Sequence, residues 1–102
     1  MKKLIGQLKA LSKPHSFEII SKLVEGPEYI STISEELGIP YATTWHRLAE
    51  LERVELVQLE SSVEKYSKRA VKLARLTNFR LELSPRIIYE MIRGGEPEFK
   101  VV

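Results

Sequence analysis

Residues 41–47, YATTWHR, place several hydrogen-bonding side chains in one short stretch. The Tyr41 phenol, the Thr43 hydroxyl and the His46 imidazole can bind base edges or phosphates, and the Arg47 guanidinium can pair with a phosphate. None of the seven residues is acidic, which suits a surface that approaches a polyanion. These residues predict contacts with DNA; packing of Tyr41, local capping by Thr43 and simple solvation of His46 are the structural alternatives.

Helical periodicity separates an inward face from an outward one in this stretch. At about 100° per residue, Thr44, Leu48 and Leu51 share a narrow sector that must face the core. The opposite sector holds Ala42, Thr43, His46, Glu50 and Arg53. Arg47 and Trp45, the only tryptophan, lie on the two flanks. We expect Trp45 either to contact DNA or to wedge against a neighbouring hairpin.

Carboxylates at Glu50, Glu52 and Glu55 follow this acid-free stretch. A helix that enters the major groove by its N-terminal end carries its later residues away from the DNA. Glu52 and Glu55 fall on the inward side of the helix, where we expect them to meet other protein groups, such as cations of the hairpin. Glu50 points outward, and it argues against deep insertion of the helix.

The net charge of +2 is unevenly distributed, with −7 over residues 15–64 and +6 over residues 65–86. The cations nearest the expected hairpin tip are Lys65, Lys68 and Arg69. A basic tip can follow the DNA backbone or an adjacent minor groove. Lys72 and Arg75 lie along the strand, where we expect solvation or pairing with glutamate. A merely solvated surface is the alternative for the whole block.

Apolar spacing predicts four helices in the first half of the chain. Their ranges are about 2–12, Pro14 to Gly26, about 30–37 and about 41–53. The second helix is expected to bury Phe17, Ile20, Leu23 and Val24. Gly38 can take a positive φ, so the third and fourth helices are predicted to be joined by a sharp turn.

Beyond Glu55 the apolar period changes to two, which predicts strands at LVQLE, RAVKLARLT and FRLELS. The connection SSVEKYSK is predicted to be a mobile hairpin tip. Ser84-Pro85 caps a last helix, PRIIYEMIR, and the tail is expected to be poorly ordered. The order of elements is that of a winged helix-turn-helix, a mainly α fold with a small β-wing (α+β). We expect one domain over residues 1–93 and a flexible tail over residues 94–102.

The first and last helices both present apolar residues that a monomer of this size would leave exposed. These residues are Leu4, Leu8 and Leu11 in the first helix and Ile88, Met91 and Ile92 in the last. They predict a homodimer, with packing inside one chain as the alternative. Such a dimer would place two DNA half-sites about one helical turn (~34 Å) or a multiple of it apart.

Several kinds of site are not predicted. The chain has no cysteine, which suits a reducing interior, and its two histidines, His15 and His46, lie on different helices without metal-ligand spacing. We therefore expect no metal and no cofactor.

Phosphate-binding glycine loops and nucleophile motifs are absent from the sequence, so an enzyme is not expected. The N-terminal segment has no apolar run of membrane length, so we expect a cytoplasmic protein without membrane contacts. The sequence does not identify a small-molecule effector.

The motifs LKALSKPHSFEIISKLVEG, ISEELGIP, TTWHRLAELE and KLARLTNFRLELSP occur in this order. Through these ordered motifs the chain resembles the ArsR-like (arsenical-resistance repressor) regulators, especially archaeal members, over about residues 8–92. The resemblance implies a dimeric transcriptional regulator, with repression modestly favoured. The sequence departs from the family at Trp45, where a small polar residue is common, and at Ala42, where a polar residue is common. The metal-sensing cysteine pairs of many relatives are missing.

These observations predict a sequence-specific regulator that binds double-stranded DNA. Its recognition helix, about 41–53, would enter the major groove, and its basic wing, about 60–70, would lie on the adjacent backbone or minor groove. A protein-association module that uses Tyr41, Trp45 and Glu50 is one alternative. A nonspecific architectural DNA binder is the other.

Overall fold

A computed structural model describes residues 2–66, 68 and 70–94, together with the backbone of residues 100 and 101. The elements in chain order are α1 (Lys2–Ser12), α2 (Ser16–Val24), β1 (Glu28–Tyr29), α3 (Ile30–Leu37), α4 (Tyr41–Arg53), β2 (Val57–Val63), β3 (Ala70–Leu76), β4 (Phe79–Arg80), α5 (Pro85–Ile92) and β5 (Lys100–Val101). Helices α3 and α4 form the helix-turn-helix, and strands β2 and β3 form the wing. The predicted mainly α, winged helix-turn-helix fold is confirmed.

The wing belongs to a three-stranded antiparallel sheet of order β1-β3-β2. Its two long strands pair from Val57 opposite Leu76 to Val63 opposite Ala70. Strand β1 adds two residues along the opposite edge of β3, with Glu28 opposite Ala74. The sequence did not predict β1, because two residues are too few to show an alternating pattern.

One hydrophobic core holds the helices against the sheet. Its buried members are Ala10, Ile19, Leu23, Ile30, Ile33, Leu48, Leu51, Leu56, Val57 and Ala74. On α4 the buried residues are Thr44, Leu48 and Leu51, which confirms the predicted inward sector. The buried Thr44 hydroxyl donates to the Pro40 carbonyl at 3.1 Å, so burying it leaves no unpaired donor.

Helix α2 differs from its prediction in both its start and its buried face. It begins at Ser16 instead of Pro14, after His15 in a left-handed conformation (φ 73°). The fully buried Ser16 hydroxyl donates to the Ala10 carbonyl at 2.8 Å, which turns the Ser16 side of the helix toward the core. As a result Phe17 and Val24, which were predicted to be buried, are exposed.

Helix α1 also buries a polar side chain that the apolar pattern did not indicate. Gln7 is only 1% exposed, and its amide donates to the Val54 carbonyl at 3.1 Å, which ties α1 to the end of α4. Leu4 and Ala10 are buried beside it. Leu8 consequently lies on the exposed side of α1.

The turn between α3 and α4 fixes how α4 leaves the core. Gly38 has φ 66°, as predicted, a conformation that costs a side-chain-bearing residue more than glycine. The Ile39 amide donates to the Ser34 carbonyl at 3.0 Å, and the Ser34 hydroxyl donates back to the Ile39 carbonyl at 2.5 Å. These bonds close the turn on both sides, so the direction of α4 is set locally.

An ion pair ties α3 to the side of α2. The Lys22 ammonium pairs with Glu36 of α3 and also lies 3.5 Å from Glu25. The hydrogen bond to Glu36 raises the pKa of Lys22 above its ordinary value. The helix-turn-helix is therefore linked to α2 by charge as well as by apolar packing.

The C-terminal part of the chain contains one element that was not predicted. Only Phe79 and Arg80 of the predicted strand FRLELS form a ladder, and they pair with Lys100 and Val101. Both partner residues fall within the expected flexible tail, 94–102, and that expectation stays a prediction; residues 95–99 and 102 lie outside the described part of the chain. Helix α5 begins as predicted, with the Ser84 hydroxyl accepting from the Ile87 amide at 3.2 Å. None of the helices in the described ranges is long and apolar enough to cross a membrane.

Candidate nucleic-acid interface

The first half of α4 presents a continuous surface of aromatic and polar groups. Tyr41 is 51% exposed and Trp45 is 38% exposed, while Ala42 and His46 are exposed and Thr43 is half-buried. The Trp45 and His46 rings meet edge to face, with centroids 6.0 Å apart and planes at 86°. The surface offers an imidazole, a phenol and a hydroxyl for hydrogen bonds and contains no carboxylate.

Arg47, predicted to pair with a phosphate, makes two contacts within the chain. Its Nη1 donates to the Glu50 carboxylate at 2.8 Å, and its Nε donates to the Pro14 carbonyl at 3.0 Å. The side chain is only 20% exposed. The guanidinium therefore holds α4 against the turn that precedes α2.

The same contact explains how α4 accommodates Glu50. The Glu50 carboxylate is 26% exposed and its charge is offset by Arg47, so it does not project as a free anion. The pair carries no net charge, which removes the objection that an outward acid raises against a DNA-facing helix.

The two remaining acids contact other protein groups, as expected, and their partners here are a wing amide and an α1 lysine. Glu52 accepts a hydrogen bond from the Leu59 amide of β2 at 3.1 Å, so it meets the wing through its backbone. Glu55 pairs with Lys3 of α1 at 2.5 Å. Both carboxylates thus join α4 and the residues after it to neighbouring elements, away from the first half of α4.

The wing tip is basic, as the charge distribution predicts. Lys65 and Lys68 are exposed, and Lys68 adopts a left-handed conformation (φ 60°) whose amide donates to the Glu64 carbonyl at 2.9 Å. Arg69, the third predicted contact, lies outside the described residues. Further along β3, Arg75 pairs with Glu60 at 2.9 Å, as expected for this strand.

Tyr66 is a tip residue that the sequence analysis did not single out. It is 87% exposed, more than the other large apolar or aromatic side chains in the described residues. The Lys65 ammonium lies 6.0 Å from its ring centroid. Its position in the sequence between Lys65 and Lys68 could have identified it as a candidate contact, because an aromatic ring at a basic tip can contact sugars and bases.

The residues predicted for a dimer interface fall into two groups. Leu4 is buried inside the protomer, and Leu11 packs partly against its core. Leu8, Ile88 and Ile92 are exposed, and Met91 is half-buried. Ile5 of α1, Leu83 and Tyr89 are further exposed apolar side chains. Packing within one chain, which is the alternative to a dimer, therefore accounts for the buried residues of α1. It leaves α5 uncovered.

No metal centre is visible in the described residues, where no three His, Cys, Asp or Glu side chains group closely enough to hold an ion. His15 lies 3.3 Å from Glu18 on α2, and His46 lies on α4 beside Trp45. The two histidines thus have different neighbours on different helices.

Comparisons with solved structures agree with this architecture. Reduced HlyU from Vibrio cholerae N16961 matches 90% of this chain and 83% of its own with a TM-score of 0.57 and 20% sequence identity. A possible transcriptional regulator from Methanosarcina mazei Go1 matches 90% of this chain and 72% of its own with a TM-score of 0.56 and 12% identity. At these identities the likeness concerns the fold. No protein-family model and no curated protein sequence matches the chain.

Proposed function

We propose that this protein is a transcriptional regulator that binds double-stranded DNA in a sequence-specific manner as a homodimer and acts as a repressor of the ArsR-like type. Helix α4 enters the major groove by its N-terminal end. The wing formed by β2 and β3 lies along the adjacent backbone or minor groove. The protein acts by binding and not by catalysis.

The observation that carries the proposal is the acid-free surface of the first half of α4. Tyr41, Thr43, Trp45 and His46 can offer hydrogen bonds and aromatic faces to base edges, and the nearest carboxylate on the helix, Glu50, is paired with Arg47. The lysines at the wing tip supply positive charge at a second point. Two separated contacts of this kind are how winged helices fix their register on a duplex.

The solved structures lend support at the level of the fold. The Methanosarcina mazei protein is described as a possible transcriptional regulator, and its fold covers most of this chain. We extend that role to this chain because its own helix α4 and wing tip have suitable exposed groups. The order of motifs in the sequence supports the ArsR-like assignment.

A protein-association module is the second candidate, and it is favoured by the exposure of Trp45 and Tyr41. Exposed aromatic rings are frequent anchors of protein interfaces. This candidate predicts weak DNA binding that salt abolishes, and a partner surface sensitive to Trp45→Ala. The DNA proposal predicts binding that persists near physiological salt on preferred sequences.

The test is selection of duplexes from a random library by the purified protein at near-physiological salt, followed by sequencing. Enrichment of an inverted repeat supports a dimeric sequence reader. Retention without enrichment contradicts sequence specificity and indicates an architectural binder. No retention contradicts DNA binding and moves the assignment to protein association.

A further inference from the structure

A small cavity lies where three elements begin, beside the recognition helix and the wing. Its volume is about 280 Å³, and it is lined by Ile30, Ser31, Tyr41, Ala70, Val71 and Lys72. The first two residues start α3, Tyr41 starts α4, and the last three start β3. The cavity therefore bridges the helix-turn-helix and the wing, the two parts proposed to contact DNA.

The polar groups of this cavity are hydrogen-bond donors without a matching carboxylate. None of the six lining residues is acidic. The Lys72 ammonium donates to the neutral Ser61 hydroxyl at 3.2 Å and has no carboxylate partner in the described ranges, so its charge is not offset. The Ser31 and Tyr41 hydroxyls likewise have no hydrogen-bond partner within the described part of the chain.

This combination suits a phosphate group. An ammonium and two hydroxyls from three different elements can donate to the oxygens of one anion, and charge-assisted bonds of this kind are stronger than neutral ones. A volume of about 280 Å³ has room for a phosphate group together with water molecules.

We propose that Lys72, Tyr41 and Ser31 form a phosphate clamp that grips the DNA strand running between the recognition helix and the wing. This inference rests on the proposed function. Helix α4 would occupy the major groove, and the wing would contact the adjacent backbone or minor groove. A sugar-phosphate strand lies between these two contacts. That strand passes between the start of α4 and β3, and the cavity is the concave surface that joins them. Lys72, expected from the sequence to be only solvated or paired, becomes a positioning contact common to all sequences.

The test compares two variants that each remove one positive charge from β3. Lys72→Gln acts in the cavity, whereas Arg75→Gln removes a cation that pairs with Glu60 and does not line the cavity. We expect Lys72→Gln to weaken binding about tenfold on every duplex tested. The dependence of log K on log salt should also become shallower by about 0.9 per bound protomer. Arg75→Gln should change both quantities less, and Lys72→Arg should restore most of the affinity.

Tyr41→Phe provides a second measurement that leaves the charge unchanged. Loss of one hydroxyl should weaken binding by a factor of about 3–10. Its effect should shrink when Lys72 is already Gln, because the two groups share one phosphate. Equal effects of Lys72→Gln and Arg75→Gln on affinity and salt slope would overturn the clamp while leaving DNA binding intact.

Titration of the free protein with inorganic phosphate, followed by amide NMR, separates the source of the phosphate from the site itself. If the site holds a DNA phosphate, shifts centred on Ser31, Tyr41 and Lys72 in the free protein should disappear once the enriched duplex is bound. Shifts that persist at these residues in the duplex complex would assign the site to a soluble phosphate compound and overturn the DNA clamp. If the wild type binds no duplex, the proposed function fails; shifts at these residues then support a phosphate site, and their absence overturns it.

Discussion

Arg47 joins two parts of the molecule, helix α4 and the turn before α2, at the scale of a single side chain. Its guanidinium contacts Pro14, before α2, and Glu50, one turn further along α4. A side chain used in this way positions the recognition helix and leaves little of its surface for a ligand. Lys72 differs from Arg47, because the Lys72 ammonium has no carboxylate partner in the described ranges.

The double variant Arg47→Gln, Glu50→Gln removes this pair without changing the net charge. We expect the free energy of unfolding to fall by about 1 kcal/mol, because a partly exposed ion pair and a bond to a carbonyl are lost. The salt dependence of DNA binding should stay unchanged. Urea unfolding and binding titrations at several salt concentrations measure the two effects. A salt slope shallower by about 0.9 per protomer would show that Arg47 contacts a phosphate after all.

His46 is the outward group best suited to read a base. It is exposed on the same surface as Ala42, and its ring is held beside Trp45. We expect His46→Ala to relax the preference at one base pair in each half-site, at a cost of about 1–3 kcal/mol on the preferred sequence and less on others. Library selection with the variant measures this change. Lys65→Ala is the control, since loss of a tip cation should weaken all sequences alike; a uniform loss with His46→Ala would count against base reading.

At the scale of elements, the wing is a two-stranded hairpin whose base is held by the protein core and whose tip is basic. Val57 and Ala74 are buried at the base, while Lys65, Tyr66 and Lys68 are exposed at the tip. The hairpin is also fastened to α4 by the bond from the Leu59 amide to Glu52. The base of the wing is therefore fixed relative to α4.

Reversal of the tip charges tests the wing as a unit. We expect the variant with Lys65, Lys68 and Arg69 all changed to Glu to lose affinity for every duplex by about 100-fold or more, because phosphate contacts are replaced by repulsion. The salt dependence should become shallower. Fluorescence anisotropy at several salt concentrations measures both. A control with Lys2, Lys9 and Lys13 changed to Glu has the same charge change on and beside α1; equal losses in the two variants would refute a specific role for the wing.

The sequence predicted the long elements better than the short ones and better than the contacts between them. The boundaries of α1 and the inward face of α4 follow from periodic apolar residues, which carry a local signal. The buried face of α2 does not, since it depends on the bond from Ser16 to the Ala10 carbonyl. Strand β1 forms only because β3 lies beside it.

The candidate site shows the same limit. Residue types in 41–47 indicated an acid-free surface, which a sequence displays directly. The contact between Arg47 and the Pro14 carbonyl joins residues 33 positions apart, and the cavity around Lys72 needs three elements to meet. Neither arrangement has a sequence period, so both required the fold.

At the scale of the whole molecule, α5 stands out because the rest of the described chain does not bury it. None of its residues is buried, and Ile88, Tyr89 and Ile92 are exposed. The radius of gyration is 15.5 Å. A compact domain of this size is expected to have about 13 Å. An amphipathic helix held away from the core of an elongated protomer is suited to bury its apolar face against a second copy.

We expect the protein to sediment as a dimer at micromolar concentration, and Ile92→Glu to raise the dissociation constant of the dimer at least tenfold, because a charge would be buried in the interface. Val24→Glu is the matched control. Val24 is 72% exposed and Ile92 is 69% exposed, but Val24 lies on α2 and not on α5. Ile92→Glu should also lose the preference for an inverted repeat over a single half-site, as each protomer would then bind alone. If Val24→Glu dissociates the dimer and Ile92→Glu does not, the interface lies on α2 instead of α5. A monomeric wild type would contradict the dimer.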